Sequence, residues 1–129
     1  MAVEKVLITG ASGYIAAQIL PEFRGRYSTV LLDVTANNPD GGDVQDVIPI
    51  DLTDSDRSKY AQYFEGVDAV VHLSHIRRRS DSMDSFFYEN ANVIMAYNVF
   101  RTAYEAGVNR IVMASSNHAA DWYEHALIH

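Results

Sequence analysis

The chain contains no cysteine, which excludes disulfides, thiolate chemistry and cysteine-ligated zinc. It also lacks an apolar run of membrane-spanning length. Its first residues, MAVEKVLITG, have none of a secretory signal's charged start, apolar core and cleavage site. Basic charge is scarce: 10 Lys and Arg against 17 Asp and Glu give a formal net charge of -7. A surface of that sign offers no broad footprint for nucleic acid or an anionic membrane, since both require a basic face. The expectation is a cytoplasmic protein with neither kind of partner. No internal repeat, low-complexity tract or interdomain linker interrupts the chain. What remains is 129 residues, 48% hydrophobic and 21% charged, the composition of one globular domain spanning residues 1–129.

Strand and helix signals alternate along that domain. Val3 to Thr9 is a β-branched apolar run stopped by Gly10, the mark of a buried strand. From Gly13 to Phe23 the pattern turns helical, with Ile15, Ile19 and Phe23 four apart and Pro21 and Gly25 at its fraying end. Thr29 to Val34 and Val47 to Ile50 read as strands, separated by the turn-rich TANNPDGGD. Asp54 stands where a helix cap belongs, ahead of Tyr60, Phe64 and the terminating Gly66. VDAVVHL is a fourth strand. A long helix from Asp84 to Ala106 follows, with Phe86, Val93 and Phe100 seven apart, Tyr97 and Tyr104 each four beyond a member of that series, Tyr97 at core-like spacing, and Gly107 as its stop. NRIVMASS is a fifth strand. The alternation predicts an α/β fold, a doubly wound parallel sheet with flanking helices.

Within that frame, GASGYIA joins the first strand to the first helix. Unpaired backbone N–H groups and the positive end of a helix dipole meet at such a turn, so it can cradle a pyrophosphate. Gly10 can make the turn, and Gly13 can let backbone approach phosphate closely. Position 16 is Ala rather than a third glycine, a variant compatible with close helix–strand packing. A structural turn with no ligand is the plain alternative. Asp33 shifts the balance: it ends the second strand, 20 residues beyond Gly13, where a carboxylate can accept hydrogen bonds from both ribose hydroxyls of an adenosine. It would repel a 2′-phosphate, and no Arg or Lys directly follows. The pattern therefore points to NAD rather than NADP.

Taken together, VLITGASGYIA, Asp33, DLTD, VDAVVHL, NVIMAYNVFRTAYEAGVNRIVMASS and the following NH resemble the N-terminal part of the extended short-chain dehydrogenase/reductases. These are the NAD-dependent epimerase/dehydratase group, with a Rossmann-like sheet, and ASSNH is most similar to its uronate dehydrogenase-like members. The resemblance assigns Gly10, Ser12, Gly13, Tyr14 and Ile15 to the phosphate loop and Asp33 to the ribose. It places Asp51 and Leu52 beside the adenine, and Leu73, Ser74 and His75 along the cofactor. The last two stand where the family usually has small apolar residues. Asn92 matches an asparagine that supports the active site, and Ser116 the hydroxyl that hydrogen-bonds the reacting oxygen. Asn117 and His118 match a pair that helps to hold substrate. The resemblance further implies a sugar or sugar-acid substrate and, through the long helix, a homodimer.

Hydride transfer from a sugar carbon also needs a base for the sugar oxygen's proton. The family uses a Tyr whose pKa is lowered by a Lys four residues later. The only lysines here are Lys5 and Lys59, neither preceded by such a Tyr. Tyr97 precedes Arg101 but lies inside a helix, and Tyr123 is followed by Leu127. The expectation is a cofactor half that does not turn over substrate by itself; a non-catalytic NAD-binding or redox-sensing module is the alternative. Arg77, Arg78 and Arg79 can hold an anion or form a solvated loop. His118, His125 and His129 have no convincing ligand spacing, so no metal is expected.

Overall fold

A computed structural model describes residues 2–77 and 84–120 of the chain. Its sheet has five parallel strands in the order β3-β2-β1-β4-β5, with β1 at Lys5–Thr9, β2 at Ser28–Asp33, β3 at Val47–Pro49, β4 at Ala69–His72 and β5 at Arg110–Met113. Helix α1 (Tyr14–Arg26) connects β1 to β2, and α2 (Ser85–Glu105) connects β4 to β5. This is the predicted doubly wound architecture. The chain winds outward from β1 on one side and resumes on the other at β4, so the β1 and β4 loops face each other across the switch point.

Successive side chains of a strand point to opposite faces, which gives the sheet two apolar layers. Val6, Ile8, Leu31, Ala69 and Val71 pack with Ala16 and Leu20 of α1. Leu7, Leu32 and Val70 pack with Met95, Val99 and Ala103 of α2 and with Leu52, Tyr60, Phe64 and Val67. The fully buried Tyr60 saves its hydroxyl by donating to the Asp54 carbonyl at 2.9 Å, and burial pushes its pKa up to about 12.

Three local expectations are corrected. Helix α1 does not fray at Pro21 but carries it inside and runs on to Arg26. Proline removes a donor at that point, while Leu20 and Phe23 still pack onto the sheet on either side of it; tertiary packing outweighs the local preference. No α-helix follows Asp54. Two short 3-10 turns, Arg57–Lys59 and Ala61–Phe64, stand there instead. Asp54 accepts from the Asp56 amide at 2.9 Å and Asp56 from the Ser58 amide at 3.2 Å, local bonds that compete with a helical ladder. Helix α2 forms as expected but buries a different face: Met95, Asn98, Val99, Thr102 and Ala103 turn inward, while Phe86, Val93, Tyr97 and Tyr104 are exposed. Of the seven-residue apolar repeat, Phe86 and Val93 lie on the outer side of the helix while Phe100 packs against the core, and the core spacing read for Tyr97 does not hold.

Candidate site at the carboxyl edge of the sheet

The pairing registers set Thr9 opposite both Leu32 and His72, and His72 opposite Met113. The loops after β1, β2, β4 and β5 therefore emerge along one edge. Gly10 turns the chain in the left-handed region, φ 68°, which glycine adopts without steric cost. A Cβ there would lie 2.7 Å from the Ser74 nitrogen and 2.8 Å from the Leu73 carbonyl carbon. Gly10 is thus the point at which the β1 turn and the loop after β4 touch backbone to backbone. The turn closes through the Gly13 amide, which donates to the Gly10 carbonyl at 3.0 Å. Gly13 then caps α1 with no side chain to occupy its first amides, leaving them to an anionic group. Tyr14 and Ile15 begin the helix with exposed side chains.

Asp33 stands beside this cradle. One carboxylate oxygen accepts from the Ser12 amide at 3.0 Å and the other from the Val34 amide at 2.7 Å. A carboxylate has roughly four acceptor positions, so two amides fix its orientation and leave capacity for two more donors. The Ser12 hydroxyl is spent inside the protein, donating to the Thr35 carbonyl at 2.6 Å. Ser12 thereby ties the glycine turn to the end of β2 and the loop after it through both its amide and its side chain.

Beyond β3, Asp51 is exposed and organises its own turn, accepting from the Thr53 amide and hydroxyl at 2.9 and 2.6 Å. Leu52 faces the other way, into the core. Its carbonyl accepts from the Asn98 amide group at 2.9 Å, which also reaches the Asp54 carbonyl at 3.2 Å. Asn98 is a support residue that the sequence reading missed. Its signal was a polar side chain three residues after Met95 and four before Thr102, on the stripe that proves to be buried.

The first residues after β4 are anchored at two points. Leu73 and Ser74 are held by Thr9, and Ile76 is clasped by Asn92, whose carbonyl oxygen accepts from the Ile76 amide at 2.7 Å while its nitrogen donates to the Ile76 carbonyl at 3.0 Å. His75, between the anchors, is exposed. Ser116 lies beyond β5, which ends at Met113, and its hydroxyl accepts from the His118 amide at 3.2 Å. Asn117 and His118 open a short 3-10 turn, Asn117–Ala120, and both are exposed. Arg77 is exposed, while Arg78, Arg79, Tyr123, His125 and His129 lie outside the described residues. Among the described residues no three His, Asp or Glu side chains converge on a metal-sized position, and no helix is long and apolar enough to cross a membrane.

Three relatives bear on this arrangement. The chain is 32% identical over 123 residues to a uronate dehydrogenase of Pseudomonas putida, covering 92% of this chain and 43% of the relative. It is 34% identical over 125 residues to an NAD-dependent glucose-6-phosphate dehydrogenase of Haloferax volcanii, covering 94% of this chain and 46% of that one. The crystal structure of uronate dehydrogenase from Agrobacterium tumefaciens superimposes with a TM-score of 0.70 at 29% identity, covering 92% of this chain and 42% of its own. The chain thus spans under half the length of the curated relatives it matches. Residues 6–127, from the middle of β1 to beyond the Ser116 turn, match one family over almost the whole sequence, and the chain belongs to the NAD-dependent epimerase/dehydratase family.

Proposed function

We propose that these residues form the NAD-binding portion of an oxidoreductase acting on a sugar or sugar acid, in the manner of a uronate dehydrogenase or a nucleotide-sugar epimerase. The observation that carries the reading is the pairing of an open helix N-terminus behind Gly10 and Gly13 with an Asp33 carboxylate oriented by two amides. Tyr14, Ile15 and Ala16 amides at the start of α1 would meet the pyrophosphate, and Asp33 the ribose hydroxyls. Asp51 would border the adenine. Leu73, Ser74 and His75 would line the nicotinamide half. Bound NAD supplies a hydride acceptor. Ser116 would hydrogen-bond the reacting oxygen, with Asn117 and His118 beside the substrate and Asn92 fixing the loop at Ile76. The Tyr-x-x-x-Lys base is not found in these residues, so they would bind cofactor without sustained turnover.

The exposed Phe86, Val93, Tyr97 and Tyr104 on α2 fit a homodimer packed through that helix. The acidic, cysteine-free composition fits a cytoplasmic setting. Calorimetric titration with NAD and NADP tests the central reading. NAD should bind more tightly than NADP, and equal affinities would overturn the role given to Asp33. Steady NADH production from glucuronate or galacturonate by the chain alone would overturn the expectation of no turnover.

A further inference from the structure

A buried polar pair lies directly behind the phosphate turn. Thr9 and His72 are opposite each other in the β1–β4 register, and both are almost wholly buried. The Thr9 hydroxyl is 2.7 Å from His72 Nδ1, and the same oxygen is reached by the Leu73 amide at 3.2 Å and the Ser74 amide at 3.3 Å. A hydroxyl has one proton and two acceptor positions. Both amides can only donate, the Leu73 amide dividing its proton between this hydroxyl and the Thr9 carbonyl, also at 3.2 Å; the arrangement in which the hydroxyl's acceptor positions face the two amides sends its single O–H to Nδ1. Nδ1 is then bare, and His72 is the neutral tautomer with its proton on Nε2. Burial pushes the His72 pKa down to about 4, in keeping with a neutral ring. Phe100 meets the imidazole edge-on at 6.0 Å between ring centroids.

The Leu73–Ser74 peptide that this hydroxyl holds is the one against which Gly10 rests. We propose that His72 is a positioning residue for the dinucleotide site: by accepting the Thr9 proton it turns the hydroxyl's lone pairs onto the Leu73 and Ser74 amides and fixes that peptide behind the phosphate turn. The inference rests on the NAD reading above and adds to it a residue that touches no cofactor atom. A protonated ring would reverse the polarity, since Nδ1–H would compete with the two amides for the same oxygen. An apolar side chain would leave the hydroxyl proton without a partner.

The test compares His72→Leu, which removes the acceptor, with His72→Asn, whose side-chain oxygen can stand near the Nδ1 position. NAD affinity is measured by calorimetry and folding by circular dichroism. The leucine variant should bind NAD about tenfold more weakly, the worth of one neutral hydrogen bond, and the asparagine variant should recover to within about twofold of the wild type. Ring nitrogen chemical shifts of the wild type should show a bare Nδ1 and a protonated Nε2. A folded leucine variant that binds NAD as the wild type does, or a proton found on Nδ1, overturns the proposal. If the leucine variant fails to fold, Thr9→Val against Thr9→Ser makes the same comparison, and equal affinities there overturn it. A wild type that binds no NAD defeats the functional reading instead. The ring tautomer and the exchange rates of the Leu73 and Ser74 amides would still judge the hydrogen-bond lock.

Discussion

Alanine at Gly10 should destabilise the protein through two separable effects. The first is conformational: Gly10 has φ 68°, and a left-handed backbone costs an L-residue roughly 1–2 kcal/mol. The second is steric. The new methyl would sit 2.7, 2.8 and 2.9 Å from the Ser74 nitrogen, the Leu73 carbonyl carbon and the Ser74 Cα, whereas carbon contacts are comfortable at about 3.5–4.0 Å. All three atoms are backbone, and the peptide they belong to is pinned by Thr9, so it cannot swing aside as a flexible side chain would. Displacing it should add on the order of 2 kcal/mol. Gly66 separates the two effects: its φ is 67°, and an added Cβ would meet nothing within 4 Å. Gly66→Ala should therefore show the conformational cost alone. In urea or thermal unfolding, Gly10→Ala should be less stable than Gly66→Ala by about 2 kcal/mol, roughly 10 °C in Tm for a domain of this size. NAD affinity should fall for Gly10→Ala only. Equal stability of the two variants would refute the argument that the β1 turn and the β4 loop meet too closely for any side chain.

Asp33→Ala should weaken NAD binding about tenfold or more, through loss of hydrogen bonds to a charged acceptor, and should narrow the preference for NAD over NADP; competitive titration of both dinucleotides checks it. His72 gives a pH dependence of fixed sign. Its folded pKa lies near 4, below the ordinary 6.5, so the unfolded chain binds the extra proton first. The contribution is fully present above about pH 6.5 and is lost as pH falls towards 4, by up to about 3 kcal/mol. Urea midpoints of wild type and His72→Asn across that range should converge at the acid end. Asn92→Leu removes both bonds to Ile76 and should cost about 1–2 kcal/mol, read as a lower urea midpoint with faster exchange of the Ile76 amide. By contrast Arg57→Ala, which breaks a partly exposed bidentate pair with Glu105, should leave the urea midpoint nearly unchanged, because Glu105 keeps Arg101 at 2.7 Å.

Much of this protein is legible in the order of its residues. Strand runs such as KVLIT and AVVH are apolar on both faces because they lie in a parallel sheet covered on both sides, and Gly10 marks the end of one because only glycine fits that conformation against that neighbour. Asp33 was singled out the same way, by its distance from the glycines and its place at a strand end. These are local patterns, set by backbone sterics and side-chain period. Contacts between distant segments decided the rest. Pro21 sits inside a helix because residues on either side of it pack on the sheet. Phe86 and Val93 of the α2 repeat face out, while Phe100 turns to the core, because the sheet claims the stripe of Met95, Asn98, Val99 and Thr102. Leu52 supports the site from the core, through a carbonyl held by Asn98 46 residues away. The Thr9–His72 pair spans 63 residues, and nothing in TG or VVHL by itself says that one hydroxyl joins them. The sequence alone determined the glycine turn between β1 and α1. Only the tertiary structure decided what stands behind it, since a hydrogen bond depends on positions in space that no local period records.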